Sequence, residues 1–458
     1  MNKLRFYFFH LMPYPYIPPT EEFDSTWVSL SNKYYDPQRG RNLYNDYIDQ
    51  LVSAEKFGFD GACVNEHHAN FYGTMPSPNI IAAMLIQRTM HIPIGIIGNA
   101  TPLHGNPLRV AEEIAMLDVI SGGRIINGFV RGIGCEYFNN GVVPADSLDR
   151  FHEAHDLIIK AWTEDGPFTW QGDHFYVPNV NPIPKPIQQP HPPIWIPGQG
   201  SLETLKFIAE HKYTYMMVFS PQWFTKMAFD GLREECKRLG YDAPKSMFNA
   251  CVPTYIAETD EQAHREAKAH LSWIFNTGLK IPDPIFFPPG YMSTKSFRNF
   301  AGALKKGKIK PQAKLSYDEL LADRYIIVGS PETVKNRMGE YCDDVGAGGI
   351  LAVGSSLGPM PNWMVMKNTQ IFAEEVIPEF READGKPDHL REEPLAPRTR
   401  AEFAARYGEP EEPARSIVTG SVELIDHRVA HLPEVIDPTM GDTEGDAGPG
   451  LDRSASAG

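Results

Sequence analysis

Three stretches carry residue types that could do chemistry. The first, "VNEHHANFYG" (64–73), crowds Glu66, His67 and His68 behind an apolar run. An imidazole titrates near neutrality and also ligates metals, so an acid–base site, a metal site and simple packing are the three readings. Adjacent residues on an extended backbone point in opposite directions, which sets His67 and His68 apart rather than on one small ion. A zinc site needs further ligands, and the sequence offers no compact Cys or His spacing to supply them. A metal-dependent hydrolase would have to draw on His67, His68, His10 and Asp60. "HEAH" (152–155) spaces its histidines i, i+3, lacks the HExxH pattern, and reads as a polar helix face.

The second stretch is "FVRGIGCEYF" (129–138). Arg131 amid glycines suits an anionic group, because glycines let a ligand approach the backbone and a guanidinium pairs with phosphate or carboxylate. An ion pair with Glu136 is the competing explanation. "RGIG" is not a dinucleotide fingerprint, since the third glycine and its strand–helix setting are missing. The third stretch, "PGQGSLETLKF" (197–207), ends a strand in glycines and offers Ser201 as a helix cap. Free N–H groups at such a helix start, with the dipole, can cradle a phosphate around Gly200 and Ser201. Glu203 in the first turn can satisfy the dipole instead.

These stretches need a scaffold that gathers them. Strand-like runs "LRFYFF" (4–9), "FDGACV" (59–64), "IPIGIIGNA" (92–100) and "GRIINGFV" (123–130) alternate with amphipathic segments at 43–58, 77–89, 106–121 and 147–162. Ser77-Pro78 and Asn106-Pro107 mark helix starts by a capping residue followed by proline. The alternation resumes with "PPIWIPG" (192–198), "YTYMMVF" (213–219), "MFNACVPTYIA" (247–257), "YIIVGS" (325–330) and "GILAVGS" (349–355). About eight β/α units with apolar strands predict a parallel (β/α)8 TIM barrel rather than an open doubly wound sheet. Reactive groups of such a barrel collect at the carboxyl ends of its strands, so "FFHLM", "NEHH", "IGNATPLHG", "FVRGIGCEYF" and "PGQGS" are expected around one mouth. An insertion at about 278–317, rich in Pro, Phe, Gly and Lys, precedes the last strand and is expected as a solvated mobile loop. Residues 1–380 are read as the barrel domain. Residues 381–458 are read as an acidic, Pro-rich extension, disordered at its end.

Composition narrows the function. The 458 residues are 42% hydrophobic and 22% charged, and the formal net charge of -15 argues against a nucleic-acid partner. Five scattered cysteines without a CxxC pair suggest free thiols in a reducing compartment. The N-terminal stretch lacks the apolar core and cleavage site of a signal peptide, and no apolar run nears the roughly 20 residues of a membrane span. A cytoplasmic protein without a membrane partner is expected.

With these residues assembled, the chain from about 3 to 380 resembles the bacterial luciferase-like flavin-dependent oxidoreductases. The resemblance rests on "EHHANFYG", "NPLRVAEEIAMLDVISGGRIINGFVRG", "DRFHEAHDLIIKAW", "QQPHPPIWIPGQGSLET" and "IIVGSPETV", in family order. It implies a homodimeric TIM barrel with flavin at its mouth. By position, His67 matches the family's catalytic histidine. Asn99, after Gly98, falls where the third strand lies against the flavin ring, at a place where the family often has a non-prolyl cis peptide. Arg131, Gly200 and Ser201 match the phosphate-side contacts. Val130 stands where luciferase has a cysteine, which argues against light emission. The resemblance further implies a two-component monooxygenase: a separate NAD(P)H:flavin reductase supplies reduced FMN, O2 adds at flavin C4a, and one oxygen atom passes to a small organic substrate. His10, Met12, Phe71, Tyr72 and the insertion are then expected to form a dry substrate wall. A hydride-transferring enzyme using deazaflavin F420 shares the same barrel and is the nearest alternative.

Overall fold

The computed structural model describes residues 3–305, 310–352 and 358–381. The chain divides into two compact units, Met1–Phe403 and Ala404–Gly458, and every described residue belongs to the first. The acidic extension from 382 onward and the end of "GILAVGS" lie outside the described residues.

Eight strands close a parallel barrel: β1 (Arg5–Phe9), β2 (Gly61–Val64), β3 (Ile94–Asn99), β4 (Ile125–Phe129), β7 (Ile194–Gly198), β8 (Thr214–Val218), β9 (Phe248–Val252) and β12 (Gly349–Ala352). An antiparallel hairpin, β5 (Phe168–Gln171) and β6 (Tyr176–Val180), sits between the fourth and fifth barrel strands, where no strand was expected. Around the barrel the order is β1-β12-β9-β8-β7-β4-β3-β2, so sequential strands are neighbours and β1 closes on β12. One expected strand belongs elsewhere. Within "YIIVGS", β11 (Ile327–Gly329) pairs with β10 (Thr254–Ile256) outside the barrel. Pro253 separates β10 from β9, so the chain leaves the barrel there and returns only at β12.

The helices are α1 (Pro37–Lys56), α2 (Pro78–Arg88), α3 (Leu108–Ser121), α4 (Gly134–Asn140), α5 (Ser147–Thr163), α6 (Leu202–His211) and α7 (Gln222–Arg238), followed by α8 (Asp260–Trp273), α9 (Asp283–Phe286), α10 (Thr294–Lys305), α11 (Tyr317–Ala322), α12 (Pro331–Val345) and α13 (Asn362–Ile371). Asn106 Oδ1 accepts the Leu108 N–H at 3.0 Å, as its capping role requires. Ser77 precedes Pro78 at the start of α2 without a side-chain cap bond.

Strand alternation sorts the core into two layers. Phe6, Phe8, Ala62, Val64, Ile94 and Ile96 pack outward on the helices, where Phe6 meets Phe372 at 5.5 Å between ring centroids. Tyr7, Phe9, Cys63, Trp195, Met216, Cys251 and Leu351 form the inner cluster. The Tyr7 and Trp195 rings meet edge to face at 4.8 Å across the lumen, because β1 and β7 are not neighbouring strands. Small residues leave room for them: a Cβ on Gly61 would lie 2.7 Å from the Tyr7 ring. Both layers are filled, as a packed barrel interior demands.

Most described residues of the insertion are exposed or half-buried, as a solvated segment would be, but it is not wholly irregular. It holds α9 and α10, and its proline-rich part packs on the segment after β4. A Cβ on Gly134 would lie 2.3 Å from Pro288, and one on Gly290 would lie 2.5 Å from Ala145. Of its basic residues, Lys306 and Lys308 lie outside the described residues.

The tightest backbone approach joins β3 to β4. A Cβ on Gly98 would lie 2.5 Å from the carbonyl carbon and oxygen of Gly128, with no flexible side chain to yield. Gly98→Ala is therefore expected to cost about 2 kcal/mol or more, seen as a lower urea midpoint. Gly105→Ala, with open space around its Cβ, should stay within about 0.5 kcal/mol of wild type. Equal midpoints for the two variants would refute this account of the β3–β4 contact.

Candidate active site

The mouth is built from the carboxyl ends of four strands that are consecutive around the barrel, β2, β3, β4 and β7. They carry His67, Asn99, Arg131 and the Gly200–Ser201 turn respectively.

The two histidines of "NEHH" part company, each to its own carboxylate. His67 Nδ1 lies 3.1 Å from Glu136 Oε1, while His68 Nε2 lies 2.7 Å from Glu66 Oε1. Glu66 is buried behind the mouth and its Oε2 accepts the Ala100 N–H at 3.0 Å. His104 Nε2 approaches Glu66 Oε1 at 3.4 Å, an electrostatic contact without hydrogen-bond geometry. Burial opposes charge on Glu66, but His104 and His68 outweigh it and hold the carboxyl down at about 2. Burial likewise opposes charge on His68, and Glu66 beside it wins, raising its pKa.

Glu136 reaches the mouth because α4 begins right after the β4 turn and sets residue 136 in its first turn. Its Oε2 accepts the Ile133 N–H at 2.8 Å and its Oε1 the His68 N–H at 3.1 Å. The expected ion pair with Arg131 is absent among the described residues. Arg131 instead lies over the ring of Tyr291 in the insertion, 4.1 Å from guanidinium carbon to ring centroid, and Tyr291 donates its hydroxyl to the Gly132 carbonyl.

The His67 ring stands edge to face against Trp27 (5.2 Å, 86°) and Tyr72 (5.1 Å, 72°). Trp27 comes from the loop before α1 and donates its indole N–H to Gly278 O at 2.8 Å, tying that loop to the insertion. Burial keeps the Tyr72 phenol neutral by raising its pKa well above the ordinary value.

At the fifth barrel strand, Gly200 takes φ +79 and its missing Cβ faces Ala228 at 3.2 Å. Ser201 caps α6, its Oγ accepting the Thr204 N–H at 3.2 Å and lying 2.8 Å from Thr204 Oγ1. The peptide before Asn99's neighbour, Ile97–Gly98, is cis. Around it the buried Asn99 Nδ2, Thr101 Oγ1 and Asn65 Oδ1 have no hydrogen-bond partner among the described residues. Orphaned buried donors and acceptors are costly unless something else engages them. Together with a guanidinium that pairs with no carboxylate among the described residues, they suit a polar ring system and a phosphate.

Two expected wall residues face the other way. His10 is fully buried on the helix side of β1, its Nε2 2.9 Å from Gln50 Oε1 of α1 and its Nδ1 accepting the Met12 N–H at 2.8 Å. Burial lowers its pKa to about 3. Met12 packs in the same outer layer. Strand parity explains both, since Phe9 and Leu11 take the inward positions. Phe71 packs on Tyr14 (5.6 Å), whereas Tyr72 does reach His67.

The metal alternative finds no assembly. His10 faces the helices, and Asp60 accepts the Phe6 N–H and pairs with Arg381 at 3.0 Å. Among the described residues no group of three or more His, Cys, Asp or Glu could hold an ion. In "HEAH", His155 is buried between Tyr213 (2.8 Å) and Asp156 (2.8 Å), and His152 stacks on Phe207. Trp27, Glu66's tie to β3, and Tyr291 were invisible in the sequence. Glu136 was visible, but with the wrong partner.

Comparison with known proteins agrees with the barrel fold. Residues 26–347 match the family described as luciferase-like monooxygenase. The oxygenase component of the flavin-dependent trigonelline monooxygenase of Acinetobacter baylyi is 30% identical over 164 residues, 35% of this chain and 45% of that protein. The oxygenating constituent of 3,6-diketocamphane monooxygenase of Pseudomonas putida, a type II Baeyer–Villiger enzyme solved with FMN, superposes with TM-score 0.60 at 19% identity, covering 82% of this chain and 99% of that one. An F420-dependent secondary alcohol dehydrogenase superposes with TM-score 0.58 at 19% identity, covering 83% and 100%. No helix among the described residues is long and apolar enough to cross a membrane.

Glu66 gives a pH signature. Its folded pKa of about 2 lies below the ordinary 4.5, so its contribution to stability is complete above 4.5 and is lost as pH falls toward 2. His68 runs oppositely: its contribution is complete below the ordinary 6.5 and fades as pH rises through its raised folded value. Removing one partner of a buried pair costs about 3–5 kcal/mol, and partial exposure of both histidines trims this to about 2 kcal/mol at pH 7. Urea melts of Glu66→Gln should show that loss at pH 7 and a much smaller one near pH 2. A pH-independent difference would contradict the assignment.

Proposed function

The chain belongs to the luciferase-like monooxygenase family, and from that premise we propose that it is the oxygenase half of a two-component flavin monooxygenase. It takes reduced FMN from a separate NAD(P)H:flavin reductase and uses O2 to place one oxygen atom on a small organic substrate. Bound reduced flavin supplies the electrons that activate oxygen. The protein's work is to bind, orient, exclude water and handle a proton. The observation that carries this reading is the placement of His67, Asn99, Arg131 and Gly200–Ser201 on four consecutive strand ends.

In this assignment Arg131 and the N–H groups at the start of α6 hold the phosphate, and the buried Asn99 amide addresses the ring. His67 takes or returns a proton at its free Nε2. Trp27, Tyr72 and the inward Phe9 and Leu11 wall the reacting face from water. The FMN-bound diketocamphane oxygenase and the trigonelline oxygenase component support the choice of FMN and of a reductase partner. The F420-dependent neighbour supports one second reading, hydride transfer from reduced F420.

Mixing the protein with photoreduced FMN and oxygen decides between them. The protein should slow the return of oxidised-flavin absorbance relative to free FMN. Arg131→Ala should weaken reduced-FMN binding about 10- to 100-fold, the equivalent of a lost hydrogen bond to a charged group. His67→Ala should keep the binding and lose product. Unprotected FMN together with tight binding of reduced F420 under argon would replace this reading by the second.

The homodimer is proposed on a surface. α2 and α3 leave Ile80, Met84, Met116, Val119 and Ile120 exposed at i, i+3 and i+4 spacings, an apolar face that a second copy would cover. Met84→Lys with Ile120→Lys should turn a sedimenting dimer into a folded monomer. An unchanged dimer would place the interface elsewhere.

A further inference from the structure

We propose that Glu136 is a positioning residue for His67, fixing Nδ1 as the protonated nitrogen so that Nε2 is left as the proton acceptor at the mouth. The inference rests on the reading of His67 as the proton-handling group and adds what sets its tautomer.

The geometry is restrictive. Glu136 Oε2 receives the Ile133 N–H and Oε1 the His68 N–H, and neither backbone donor can turn away. With both oxygens already accepting, the third contact, 3.1 Å to His67 Nδ1, is again one in which the carboxylate accepts. The imidazole proton therefore sits on Nδ1, and the lone pair on Nε2. No hydrogen bond engages Nε2 among the described residues.

The ring cannot readily turn to swap its nitrogens. The His67 N–H is tied to Met75 O at 3.1 Å, Trp27 and Tyr72 meet the ring edge to face, and a Cβ on Gly73 would already crowd His67 Cδ2 at 3.1 Å. Glu136 is itself buried, and its placement follows from α4 beginning immediately after the mouth turn. When Nε2 accepts a proton, the Nδ1–H bond stays in place and the new positive charge is faced by Glu136. The step moves one proton and no electrons. The other titratable groups nearby are the Tyr72 phenol and the Glu66–His68 pair, which is engaged with itself and His104.

A plain helix-capping role for Glu136 would explain the Ile133 contact but would not set the imidazole. The two are separated by nitrogen NMR of histidine-labelled full-length protein, assigned with His67→Gln. In the wild type at neutral pH, His67 should show the Nδ1–H tautomer. In Glu136→Gln, whose amide can offer a donor to Nδ1, the Nε2–H tautomer should gain population. Affinity for reduced FMN should hardly change. An Nε2–H tautomer in the wild type, or an unchanged tautomer population in the variant, overturns the proposal. Should Glu136→Gln fail to fold, the wild-type tautomer alone decides. Neither readout needs flavin or turnover, so failure of the oxygenase reading would leave both intact.

Discussion

Two buried carboxylates, Glu66 and Glu136, set the geometry at the mouth. A carboxylate out of water is tolerated only when its lone pairs are taken, and each of these takes donors from a different strand end. Glu66, on the β2 side, accepts the Ala100 N–H beyond β3. Glu136, beyond β4, accepts the His68 N–H on the β2 side. Three neighbouring strand ends are thus stitched by side chains beyond the last rungs of the sheet. The histidines of "NEHH" are drawn to different carboxylates as a result. The doublet that looks like a metal motif in sequence is two separate hydrogen-bonded pairs in space.

Over this frame the chain lays an aromatic cover from two distant segments. Trp27 and Tyr291 come from opposite ends of the barrel domain, yet one is bonded to the insertion and the other belongs to it. Tyr291 shields the face of Arg131, and Trp27 shields an edge of His67. Shielding a guanidinium with a ring lets it remain without a carboxylate while partly desolvated. That is a useful state for a cation that is to receive a phosphate. The same cover leaves the histidine only partly exposed, and reduced contact with water strengthens the electrostatic contacts around it.

The barrel was legible in the sequence because eight strand–helix alternations leave few topologies open, and strand ends of such a barrel share a face. The residue-level wall was less legible. "HLMPYP" reads as aromatic lining by composition, but parity along β1 turns His10 and Met12 outward and Phe9 and Leu11 inward. "YIIVGS" has the strand pattern in full and still pairs off the barrel, since pairing partners are set by where Pro253 sends the chain. The His67–Glu136 contact spans 69 positions, and nothing local to either residue signals it. The insertion's Pro and Lys content suggested solvation, and most of it is exposed or half-buried, but Pro288 fills space that Gly134 leaves open.

The central claim is that His67, Arg131 and Ser201 surround one flavin. A crystal structure with FMN bound tests it directly. The account predicts phosphate density within hydrogen-bond reach of the Arg131 guanidinium and the N–H groups at the start of α6, with the ring system lying beside Gly98 and within reach of His67 Nε2. Flavin bound elsewhere, or a phosphate that leaves Arg131 stacked and unengaged, would contradict it.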